Sequence, residues 1–168
     1  STTSVTGTFT TEGWAVYKYT NLQSNGEPGK NTTFPDTDFP MFRLGDVYLM
    51  YAEAVARGGE GGDLATAVNY INALRERAYG DTYHNITESW LLENNLQNIL
   101  DERCRELYWE GVRRTDLIRF GLYTSPNYLW TFKGGVLNGV GVDSRYNVFP
   151  IPTTDMSVNG NLKQNEGY

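Results

Sequence analysis

The sequence predicts a mainly α fold, and three observations carry that expectation. Apolar residues recur at helical spacing in three stretches, near 43–57, 64–78 and 87–110. A glycine-rich joint, GGEGG at 58–62, separates the first two and predicts an αα-hairpin. The chain's last third is rich in glycine, proline and aromatic residues but has little periodicity, which predicts long irregular loops.

Taken in order, WAVYKY at 14–19 alternates weakly and reads as a short strand or hairpin. The polar loop TNLQSNGEPGKNTTFPDTDFP follows; it carries Asp36 and Asp38 but lacks the other ligands of a calcium loop. The first helix is expected over 43–57, with Leu44, Val47, Tyr48, Tyr51 and Val55 on its buried stripe. Ala52 and Ala54 should let a neighbour approach closely. The second helix, 64–78, aligns Leu64, Ala67, Val68, Ile71, Leu74 and Ala78. This pair is similar to one tetratricopeptide unit, without the full repeat pattern. A third helix from Thr87 should bury Leu92, Leu96, Ile99, Leu100, Cys104, Leu107 and Tyr108. After Gly111 a short helical piece, VRRTDLIRFG, runs to Gly121. Pro150 and Pro152 rule out a central strand near the end.

Composition narrows the function classes. A chain of 168 residues suggests one domain, 1–168, large enough to bury a core. Its net charge of −6 argues against nucleic acid as a partner and against direct binding to an anionic membrane, since both need clustered Lys and Arg. Cys104 is the single cysteine and His84 the single histidine, so neither a disulfide framework nor a Cys- or His-based metal site is expected. No catalytic triad, phosphate-binding loop or dinucleotide fingerprint occurs, and no cofactor is expected.

The densest cluster of charge is ERCRELYWEGVRRTDLIRFG, residues 102–121. Glu102, Glu106 and Glu110 recur every fourth residue and share a helix face. A glycosidase needs two carboxylates facing each other across a substrate, about 5–9.5 Å apart, and one helix face does not supply that. The interleaved arginines instead predict ion pairs that lock helices in register.

Four blocks together resemble the C-terminal portion of the SusD/RagB family: FRLGDVYLMYAEAVARGG, AVNYINALRERA, ILDERCRELYWEGVRRTDLIRFG and VFPIPTTDMSVNGNLKQNEGY. Local departures are Gly160, Glu166 and the RLGDV that replaces a commoner RLAEV. The resemblance implies an α/α superhelical, tetratricopeptide-like scaffold of which this chain is the C-terminal part. It also implies a non-enzymatic nutrient-uptake protein of Bacteroidetes. Such a protein is a surface-exposed outer-membrane lipoprotein whose lipid anchor lies outside this segment. It captures oligosaccharides, or in some cases peptides, for a SusC-like TonB-dependent transporter.

The family's ligand residues form no fixed motif, so the candidates come from this sequence alone. Tyr123, Tyr128, Trp130 and Phe132 fall in an irregular loop where core packing makes fewer demands. Trp14 and Tyr17 are further candidates in the 14–19 segment. Aromatic faces would stack on sugar rings while Asn, Asp and Arg side chains bind hydroxyls. Peptide capture and a helical protein-interaction module are the rival readings.

Overall fold

The computed structural model describes residues 18–31 and 33–168, and among these it is mainly helical. They fall into two compact units, 18–113 and 114–168. The expected strand at 14–19 lies outside the described residues except for Lys18 and Tyr19, which are irregular. The described residues contain no strand, only an isolated antiparallel bridge between Leu22 and Pro28.

The first unit is built on α1 (Leu44–Ala56) and α2 (Leu64–Tyr79), the expected hairpin. Asp63 caps α2 by accepting a hydrogen bond from the Thr66 amide, and Gly80 closes it at φ 76°, where a side chain would be strained. Tyr48 of α1 stacks on Tyr70 of α2 with centroids 4.2 Å apart, and Tyr51 meets the same ring edge-on. Leu49 and Ala52 of α1 pack with Ala67, Ile71 and Leu74 of α2 in the buried core.

The buried stripe of α1 differs from the expected one. Leu44 and Val47 are 62% and 47% exposed, and Ala54 is exposed, whereas Gly45, Leu49, Ala52 and Glu53 are buried. This helix is apolar on two sides, so spacing alone offered two stripes, and the one that carries Leu49 and Ala52 is turned inward.

The third helix is not continuous. It divides into α3 (Glu88–Leu92), a 3-10 turn at Asn94–Leu96 and α4 (Gln97–Glu106). Asn94, Asn95 and Leu96 all have left-handed backbones, with φ of 53°, 49° and 64°. Asparagine tolerates that region, and three such residues in a row end any right-handed helix. The break also turns Leu91 inward and leaves Leu92 exposed. Ile99, Leu100 and Leu107 are buried as expected, Cys104 is half-buried and Tyr108 is exposed. α5 (Arg113–Arg119) follows as expected and ends before Gly121.

The second unit is mostly loop, with a six-residue helix, α6 (Thr153–Val158), that periodicity did not predict. Its closure is chemical rather than periodic. The Gln164 side chain behaves like a strand neighbour, accepting from the Ile151 amide at 2.8 Å and donating to the Ile151 carbonyl at 2.9 Å. Asn165 donates to the Phe149 carbonyl, and the Tyr168 hydroxyl to that of Val148. The PIP block and the QN block of the sequence are thus two halves of one fastening.

Candidate ligand-binding surface

The charged cluster divides cleanly into pairs. Glu102 of α4 accepts from Arg75 of α2 at 2.7 Å and from Arg105 on its own helix. Glu106 accepts from Arg77 of α2 and from Arg43, the residue preceding α1. Glu110 takes a two-pronged bond from Arg43, with Nε and Nη2 both 2.7 Å from its oxygens, and a second cation, Lys18, on one of them. Arg103 reaches Asp46 of α1 at 2.9 Å. Every member of the 102/106/110 stripe is therefore held by cations, and these pairs bind α1, α2 and α4 together.

Electrostatics follow from that arrangement. Burial pushes the Glu110 carboxyl up, but the bonds from Arg43 and Lys18 outweigh it and hold the group below the ordinary carboxylate range. The same bond from Glu110 raises the Arg43 guanidinium still further above its ordinary value. The clamp packs closely over the glycine in RLGDV. A Cβ on Gly45 would lie 2.4 Å from an Arg43 nitrogen and 2.7 Å from a Glu106 oxygen.

Three of the expected ligand residues converge in the second unit. Trp130 meets Tyr128 edge-on at 5.1 Å and Tyr123 at 6.0 Å, and all three rings are half-buried. Lys133 lies over the Trp130 ring at 5.2 Å. Arg114 lies over both Tyr123 and Phe149, while donating to the Tyr146 carbonyl at 2.6 Å. The loop folds back tightly: the Phe132 amide donates to the Leu137 carbonyl, and Gly139 crosses the Trp130 backbone so closely that a Cβ would meet its carbonyl oxygen. Phe132 itself, at φ 67°, joins no ring pair among the described residues. Trp14 and Tyr17 lie outside the described residues. The cluster offers flat apolar surface rimmed by two cations and hydroxyls, suited to a ligand with both faces and polar edges.

A separate cavity of about 300 Å³ lies within the first unit, in the loop between 19 and 39. Tyr19, Asn21, Pro35, Thr37, Asp38 and Phe39 line it. Sequence reasoning passed over this place, because its residues are gathered by side-chain bonds across ten to seventeen positions. The one available signal was a run of Asn, Asp and Thr flanked by Tyr19 and Phe39. Among the described residues no group of three or more His, Cys, Asp or Glu side chains is placed to hold a metal ion.

The family model described as the SusD family matches residues 1–168. The chain is 46% identical over 159 residues to the starch-binding protein SusD of Bacteroides thetaiotaomicron, which covers 94% of this chain and 26% of that protein. Two proteins of Formosa agariphila are also similar. SusD-like protein P25 is 33% identical over 76% of this chain and 24% of its own length, and SusD-like protein P2 is 32% identical over 90% and 29%. The chain thus spans about a quarter of the length of the curated relatives it matches. A match along all 168 residues settles the family: this chain belongs to the SusD family.

Proposed function

We propose that the chain is part of a non-catalytic binding protein that captures oligosaccharides at the cell surface for import through a SusC-like TonB-dependent outer-membrane transporter. In this reading residues 1–168 are the C-terminal domain of a longer polypeptide, which is lipid-anchored to the outer membrane outside this segment. The observation that carries the reading is the half-buried Tyr123–Tyr128–Trp130 cluster with Lys133 and Arg114 at its edge. Packing fixes one side of each ring, so a sugar face meets a surface that is already ordered. The 46%-identical relative is named for starch binding, which supports the same class of ligand. The paired state of Glu102, Glu106 and Glu110 supports a scaffold role for the residues a hydrolase would have needed.

Affinity electrophoresis through gels containing starch or other polysaccharides, followed by calorimetry, tests it. Retardation by at least one polysaccharide is expected. Trp130→Ala should weaken binding about tenfold or more, because removing a Trp from the centre of a binding patch commonly costs about 2 kcal/mol or more. Circular dichroism should show the fold retained. Unchanged affinity in that variant would remove this cluster from the binding site.

One observation favours a second reading. Leu44, Val47 and Met50 form an exposed apolar stripe on α1, suited to another polypeptide. If the protein instead captures peptides or acts as a helical interaction module, peptides will give binding heats and polysaccharides none.

A further inference from the structure

The cavity at 19–39 has the attributes of a binding pocket built before any ligand arrives. Asn21 is its hub. The side-chain amide donates to the Asn31 carbonyl at 2.5 Å, the side-chain oxygen accepts from the Asp36 amide, and the backbone carbonyl accepts from Gly29. Gly29 is pressed against it: a Cβ there would lie 2.3 Å from the Asn21 side-chain oxygen. Asp36 in turn accepts from the Lys30 amide at 2.9 Å, Asn31 accepts from the Thr33 and Phe34 amides, and Thr37 donates to the Thr20 carbonyl. The loop is therefore fixed by polar bonds rather than by a packed core.

Against this fixed background one group is idle. Among the described residues no hydrogen bond or ion pair reaches the Asp38 carboxylate, although it lines the cavity. Two aromatic rings, Tyr19 and Phe39, line the same space, and among the described lining residues there is no Lys or Arg. A carboxylate with free lone pairs beside apolar ring faces matches a ligand that has C–H faces and adjacent hydroxyls. Its charge opposes a ligand that is itself anionic. At about 300 Å³ the space is at the small end of ligand pockets, so it admits a ring or two of a chain rather than a broad surface.

We propose that this pocket is a second carbohydrate subsite, one that takes a neutral hexose residue and rejects a uronic acid. It rests on the glycan-binding reading above but uses different residues, so the two can fail separately. In it the Asp38 carboxylate accepts from a vicinal pair of sugar hydroxyls while Phe39 or Tyr19 lies against the ring.

Calorimetry on the full-length chain, with maltotriose, cellotriose, mannotriose and trigalacturonate as probes, decides the matter. For at least one neutral trisaccharide the heats should fit two sites. Asp38→Ala and Phe39→Ala, both at exposed loop positions, should each weaken one of these about tenfold or more while sparing the other, the first by loss of a bond to a charged group and the second by loss of the ring face. Trp130→Ala should do the converse. Trigalacturonate should be rejected by the wild-type pocket and admitted by Asp38→Asn. If binding depends on Trp130 while Asp38→Ala and Phe39→Ala are silent, the subsite is overturned and the glycan-binding reading stands. If no neutral trisaccharide binds, both fall. Binding of trigalacturonate at the wild-type pocket overturns the charge argument.

Discussion

Arg43 shows how much one side chain can organise. It stands at the entrance of α1 and grips Glu106 and Glu110, 63 and 67 positions further along the chain. Replacing it by methionine keeps the length of the stem but leaves two largely buried carboxylates short of a partner. That should cost about 2–3 kcal/mol, read as a lowered urea midpoint at pH 7, a little less than for a fully buried pair because Arg43 is partly exposed. The pH dependence has a definite sign. Glu110 titrates lower in the folded protein than in the unfolded chain, so its contribution is present above the ordinary carboxylate pKa and is lost as pH falls through the folded value. Wild-type stability should therefore decline below about pH 5, and Glu110→Gln should decline less steeply over the same range. Equal slopes in the two proteins would show that the Arg43–Glu110 contact contributes nothing to the linkage. This pairing was legible in the sequence as a class: alternating Glu and Arg predicted ion pairs. The identity of Arg43 and Lys18 as the partners was not, since both lie outside the charged run.

At the level of elements, what could be read depended on how each helix is specified. α1, α2 and α5 have start and stop signals such as Asp63, Gly80 and Gly121, and their positions followed from spacing. The break between α3 and α4 did not, because Leu91, Leu92 and Leu96 continue a helical rhythm across it. What decides it is the left-handed backbone of three residues, which no apolar pattern encodes. The face of α1 was misread for a different reason, namely that two apolar stripes compete. A direct comparison separates them: Leu49→Ala should cost about 2–5 kcal/mol by opening a cavity, whereas Leu44→Ala in the same chain should cost less than about 1 kcal/mol. Thermal melts of the two variants test this, and equal losses would return Leu44 to the core. The aromatic loop was readable as a place where Tyr123, Tyr128 and Trp130 could meet, because turn residues flank them. The 19–39 cavity escaped, since Asn21 gathers it through bonds that carry no sequence period.

For the molecule as a whole, a net charge of −6 sets expectations about ligands rather than about fold. An uncharged polysaccharide presents nothing for that charge to act upon. Its affinity should change by less than about twofold between 50 and 500 mM NaCl, where salt screens charges beyond a few ångströms. A steep fall measured by calorimetry would instead count against stacking of a neutral sugar as the main source of affinity. The Arg43 clamp has one further consequence, in time rather than in equilibrium. Its partners are separated by more than sixty residues, so it can close only after the helices between them have come together and the intervening chain has lost its freedom. Such a bond belongs to the last stage of assembly. In stopped-flow experiments Arg43→Met should accelerate unfolding and leave the refolding rate almost unchanged, which makes the clamp a latch on the native state's lifetime rather than a guide to reaching it.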